Sequence, residues 1–105
     1  MRPIHIVQLD KLRPAVILTR ATVRPFLSEI TVAPITTSSR GLATEVPVGP
    51  ANGLNQHSVV VCDNIGTVDV SCVGKLVGFL LVSQEQQLSV AIAAAFDLED
   101  VSRAS

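Results

Sequence analysis

Short runs of β-branched residues, broken every few positions by proline, glycine or charge, fill the first four-fifths of this chain. Helical spacing appears once, after Val82. This pattern predicts a small, mostly antiparallel β-barrel closed or plugged by one helix. Ile4 to Leu9, Pro14 to Thr19 and Ser28 to Ala33 read as strands. Thr44 to Val48 is a shorter one, and Pro47 within it predicts an edge position because proline cannot donate to a central ladder. Ser58 to Cys62 and Thr67 to Val70 follow, separated by a turn at Asp63-Asn64-Ile65-Gly66. Lys75 to Val82 is so apolar that it predicts a last strand buried on both faces. Gly49 to Asn55 is the longest loop, its Asn52-Gly53 step supplying a positive-φ position.

The terminal helix is expected over about residues 84–97. Ser83 is placed to be its N-cap and Gln86 the N3 partner of a capping box. Leu88, Ala91, Ile92, Ala95 and Phe96 recur at helical spacing. Asp97, Glu99 and Asp100 oppose the negative end of the helix dipole, so fraying is expected there. Residues 98–105 read as a flexible tail, and residues 1–105 as a single domain.

With 105 residues, such a domain buries roughly two-thirds of the surface its unfolded chain exposes. Hydrophobic content of 48% against 16% charged residues excludes a disordered chain. No apolar run approaches the roughly 20 residues that cross a bilayer, and the start resembles no signal peptide; a cytoplasmic location is expected. Cys62 lies in the apolar run Val59-Val60-Val61-Cys62 and is expected to be a buried free thiol. His5 and His57 have no Cys or His at ligand spacing, so neither a metal nor a cofactor is expected.

The stretch after the third strand carries the chemistry. Pro34 closes that strand, Thr36, Thr37, Ser38 and Ser39 supply four hydroxyls, and Arg40 and Gly41 follow. Neutral donors beside a fixed positive charge suit a phosphodiester better than an apolar ligand. Arg13 stands before another strand, so two strand-end arginines with hydroxyls between them predict a phosphate-handling cleft. Residues 1–45 hold six basic side chains against Asp10, Glu29 and Glu45, which permits a local basic face on a chain of net charge −1. With Phe26, Phe79 and Phe96 as the only aromatics, a base-stacking platform is not expected.

Taken in order, these segments resemble a known family. The run Arg13-Pro14-Ala15-Val16-Ile17-Leu18 is followed by Val32-Ala33-Pro34-Ile35-Thr36-Thr37, Arg40-Gly41 and Glu45-Val46. Asn52-Gly53-Leu54, the strand from Ser58 to Val61, Asp63-Asn64-Ile65, Thr67-Val68 and Gly74-Lys75-Leu76-Val77-Gly78 then follow. Together, from residue 6 to 96, they resemble the MazF/PemK toxins. The resemblance implies an SH3-like antiparallel β-barrel of the CcdB/MazF kind with a C-terminal helix, forming a homodimer that a cognate antitoxin neutralises. It implies a metal-independent endoribonuclease cutting single-stranded RNA to a 2′,3′-cyclic phosphate and a 5′-hydroxyl.

On that resemblance Arg13 and Thr36 are the catalytic residues, and Thr37, Arg40 and Asn64 contact RNA. Arginine stays protonated in proteins, so Arg13 suits charge stabilisation rather than proton abstraction. Histidine is the commonest general base, and the loop that carries His57 is expected to be able to approach the cleft, but the base is unassigned. The chain departs from the family at Arg2-Pro3-Ile4-His5, at Gln8, at Gly66 and in the short Asp10-Lys11-Leu12 loop. A short lid of that kind admits the structured loop of a tRNA or rRNA as readily as a messenger. A gyrase-inhibiting barrel of the CcdB kind and a catalytically inactive RNA-binding barrel are the alternatives; the lack of Trp counts against the first.

Overall fold

The computed structural model describes residues 1–98. Among these residues there are seven strands and one α-helix: β1 (Pro3–Gln8), β2 (Leu12–Ile17), β3 (Glu29–Thr36), β4 (Glu45–Val48), β5 (Ser58–Val61), β6 (Gly66–Asp69), β7 (Val73–Phe79) and α1 (Val82–Ala95). The strands run antiparallel in the order β4-β5-β3-β2-β1-β7, with β6 also paired to β3. β3 sets the shape. Its first half, Glu29 to Val32, pairs β6, while Ile35 and Thr36 pair β5. One strand serving two partners in succession curls the sheet into a half-barrel, and α1 packs against β4 across its mouth.

The period-2 alternation of the central strands divides the core in two. Ile4, Val16, Ala33 and Val60 face Leu80, Leu88 and Ala91 under the helix. Val7, Ala15, Ile17, Ile30 and Val32 form a second cluster on the opposite face. β1, β2 and β3 are therefore apolar on both sides, and the site described below sits at their end.

Several expectations are corrected. β3 does not stop at Pro34 but runs through it to Thr36, because Pro34 pairs Ala15 in register without supplying an N–H. β7 ends at Phe79 and is not buried on both faces: Lys75 and Leu76 are exposed because among the described residues the strand has β1 alone as a paired neighbour. Pro47 does lie on an edge strand, as expected.

The helix begins two residues earlier than its sequence suggests. Gln84, not Gln86, is the N3 residue, and its Oε1 accepts the N–H of Leu81 at 2.9 Å. Ser83 lies inside the helix, so the expected Ser83 cap is not formed. Gln84 turns inward because Asn52, only 1% exposed, needs partners. Asn52 Nδ2 donates to the Phe79 carbonyl at 2.9 Å and to Gln84 Oε1 at 2.6 Å, and its Oδ1 accepts from the Gly49 N–H at 3.0 Å. Those bonds tie the loop after β4, the end of β7 and the start of α1 into one knot.

At the other end α1 stops at Ala95 rather than near residue 97, and Phe96, counted in the helical spacing, lies past its end and is exposed. The Leu98 N–H donates to the Ala93 carbonyl at 2.8 Å, so Leu98 closes the helix rather than opening the tail. The remainder of the expected tail, 99–105, lies outside the described residues.

Candidate functional site

A cleft of about 500 Å³ opens where the β1–β2 turn, the end of β3 and the short 3₁₀ turn Cys62–Asn64 meet. Arg13, Thr36, Arg40 and Asn64 all line it. These are four of the five positions singled out in the sequence, drawn from three separate segments. Thr37 is the exception. It is exposed in the bend just past the end of β3 and does not line the cleft.

Arg13 is the second residue of β2 and pairs Val7 of β1. Asp10, three residues before it in the tight turn, takes its guanidinium in a fork. Nε donates to Oδ1 at 2.8 Å and Nη2 to Oδ2 at 2.9 Å. A bidentate pair fixes the plane of the guanidinium as well as its position. The hydrogen bond from Arg13 holds the Asp10 carboxyl down at about 2, well below its ordinary 3.8, and the same bond raises the pKa of Arg13. The Nη1 edge of Arg13 is not used by Asp10.

Thr36 ends β3 opposite Val59 of β5. Its Oγ1 accepts the Ser38 N–H at 3.2 Å, which sets the turn into the loop and leaves the hydroxyl proton to donate elsewhere. Across the cleft, Thr44 Oγ1 donates to Asp63 Oδ2 at 2.6 Å and the Cys62 N–H to the Thr44 carbonyl at 3.0 Å. This anchors the turn that carries Asn64. Burial, and then the charge of Asp63, push the Cys62 thiol up to about 11. Cys62 is buried and free, as expected.

Three acidic residues that line the cleft were not assigned a role in the sequence: Asp10, Glu45 and Asp63. Glu45 gathers the Ser39 hydroxyl and the backbone N–H groups of Arg40, Gly41 and Leu42. The Arg40 N–H bond above all holds its carboxyl below the usual glutamate range. An aspartate three residues before Arg13, and a glutamate closing Ser-Ser-Arg-Gly, were the available signals.

The two histidines stand apart from this chemistry. His57 lines a separate cavity of about 240 Å³ with Gly49 and Pro50, so its loop does not reach the cleft. The ring of His5 is engaged with the Gly74 carbonyl, Nδ1 to O 2.9 Å. Among the described residues no group of three His, Cys, Asp or Glu is placed to hold a metal. No helix among them is long and apolar enough to cross a membrane.

A half-barrel carrying a cleft with two arginines and a strand-end threonine has known counterparts. The family model for PemK-like, MazF-like toxins of type II toxin–antitoxin systems matches residues 6–96. Endoribonuclease MazF3 of Mycobacterium tuberculosis is 64% identical over 99 residues, covering 94% of this chain and 96% of that protein. The solved M. tuberculosis toxin MazF-mt6 superposes with a TM-score of 0.92 at 63% identity, over 94% of this chain and all of that one. A mycobacterial endoribonuclease solved with its cognate antitoxin shares the fold, with a TM-score of 0.82 at 22% identity over 93% of this chain and 94% of that one. The chain belongs to the PemK-like, MazF-like toxin family of type II toxin–antitoxin systems.

Proposed function

We propose that this toxin is an endoribonuclease that cuts single-stranded RNA, or RNA loops, without a metal. The ribose 2′-hydroxyl gives up its proton to solvent as its oxygen attacks the adjacent phosphorus, the P–O5′ bond breaks, and the departing 5′-oxygen takes up a proton from solvent. A 2′,3′-cyclic phosphate and a 5′-hydroxyl result. The observation that supports this reading is the shared cleft of Arg13 and Thr36, with Arg13 held in plane by Asp10.

Charge builds on the non-bridging phosphate oxygens as the 2′-oxygen adds. A guanidinium held by its Nε and Nη2, with Nη1 left to donate, and a hydroxyl with an uncommitted proton answer that charge. Preorganised donors of this kind are worth on the order of 10²–10³ in rate each. Because they are already oriented, little reorganisation accompanies the reaction. Asp10, held near 2, stays ionised and serves Arg13; it is too weak a base for proton abstraction near neutral pH. Arg40 and Asn64 contact the strand on either side, the first at phosphate and the second at a base edge.

The toxin acts as a homodimer, and its cognate antitoxin covers the same cleft with an acidic segment that competes for Arg13 and Arg40. A complex of that kind weakens as salt rises. Complexes that form equally well at high salt, and with both arginines removed, would exclude it.

The nuclease test uses purified protein, a mixed RNA pool and EDTA. Fragments with 5′-hydroxyl ends are expected. Once a cut site is mapped, a single 2′-deoxy substitution at its scissile ribose should abolish cleavage. RNA left intact by the wild type would point to a binding module instead.

A further inference from the structure

On the reading of this cleft as an RNA-cleaving site, we infer that Glu45 is a positioning residue that holds the Ser39–Leu42 loop in the shape that presents Arg40 to RNA. Glu45 opens β4 and pairs Val61 of β5, so its backbone is fixed to the sheet. Its carboxylate reaches back over the preceding loop and takes four donors from four successive residues. Oε1 accepts from Ser39 Oγ at 3.0 Å, from the Gly41 N–H at 3.0 Å and from the Leu42 N–H at 3.3 Å. The Arg40 N–H is shared between Oε1 and Oε2, each at 3.1 Å.

Successive N–H groups converge on one anion in a nest, and one way the backbone makes a nest is to turn through a left-handed residue. Gly41, at φ +69°, supplies it. The nest is the usual recipe for binding a phosphate, but here the chain fills it with its own carboxylate. Those amides are therefore not the ones that meet RNA. What the loop offers the cleft is side chains, Ser38 and Arg40. Among the described residues the Arg40 guanidinium makes no salt bridge, whereas Asp10 occupies that of Arg13. Arg40 is thus a free cation on an exposed loop, and the carboxylate beneath it is what keeps that loop from sampling other shapes.

A phosphate contact made equally before and during the reaction acts on KM and leaves kcat alone. The experiment measures steady-state cleavage of a short RNA bearing a mapped cut site by four proteins: wild type, Glu45→Ala, Arg40→Ala and the double variant. Glu45→Ala is expected to raise KM about tenfold with little change in kcat, the scale of one charge-assisted contact. The double variant is expected to match Arg40→Ala, since a loop clamp has nothing to present once the cation is gone. KM effects that multiply in the double variant, or a loss confined to kcat, would overturn the inference.

Gly41→Ala is the second probe, because no atom lies within 4 Å of the added Cβ and only the positive φ is disfavoured. It should reproduce the rise in KM even where Glu45→Ala fails to fold; a wild-type KM in Gly41→Ala would also overturn the clamp. A wild type that cuts no RNA defeats the nuclease reading itself. A wild type that cuts, with multiplying KM effects, defeats the clamp alone.

Discussion

Asp10 grips Arg13 through two parallel hydrogen bonds, Nε to Oδ1 at 2.8 Å and Nη2 to Oδ2 at 2.9 Å, at the edge of the cleft. The pair is exposed on the Asp10 side, so it adds little to stability. Its value lies in aiming the guanidinium. Asp10→Ala should lower kcat/KM by about tenfold, less than loss of the arginine itself, because the charge remains but its orientation does not. Unchanged or faster cleavage would show that Asp10 merely competes with phosphate.

The pH dependence of that pair has a definite sign. A carboxyl depressed in the folded state favours folding above its ordinary value of 3.8, and that contribution fades as pH falls toward about 2. No acid limb between pH 5 and 7 should therefore come from Asp10. A limb in that window that disappears in Asp10→Asn would contradict this account.

Glu45 carries the same sign for the same reason: its carboxyl is held below the ordinary glutamate value by the Arg40 N–H first. The stability it contributes is present above that ordinary value and is lost as pH falls through its depressed one. The difference in Tm between wild type and Glu45→Gln should be largest near pH 7 and shrink on acidification. A difference that stays constant down to pH 3 would rule this out.

The Asn52 knot makes two substitutions costly. Asn52→Leu leaves the buried Gly49 N–H without its partner, at about 1–3 kcal/mol, and also removes the donor to the part-buried Phe79 carbonyl. Gly78→Ala places a Cβ against the Asn52 carbonyl, and backbone cannot yield cheaply. Both should lower the urea midpoint well beyond Gly66→Ala, whose Cβ meets no atom closer than 4.0 Å. Equal midpoints would refute the role assigned to the knot.

Cys62, buried in the larger core cluster with its thiol pushed up to about 11, should react with a thiol reagent only as fast as the protein opens. Cys72, partly exposed, should react first. Equal rates in the native protein would contradict the burial of Cys62.

Much of this was legible in the residues. Arg13, Thr36, Arg40 and Asn64 share a cleft because each begins, ends or follows a strand whose alternation was plain, and Pro47 announced its edge. The misses have physical causes. β7 looked like a core strand because its composition is apolar, yet composition does not say how many neighbours a strand has. Ser83 looked like a cap because local spacing hides Asn52, thirty-one residues earlier, which draws Gln84 inward. Asp10 and Glu45 escaped because an acidic residue in a phosphate cleft looks wrong until its own donors are seen. Thr37 belongs to the same run of hydroxyls as Thr36, and only the bend that follows β3, invisible in the residues, sets it outside the cleft.

The most direct test is single-turnover cleavage of a mapped RNA substrate by Arg13→Ala and by Thr36→Val, each checked to melt at the wild-type temperature. Each rate is predicted to fall by on the order of 10²–10³, with 5′-hydroxyl ends in whatever product remains. Two folded variants that cut within threefold of wild type would show that the guanidinium and the hydroxyl sharing this cleft do not act on the scissile phosphate.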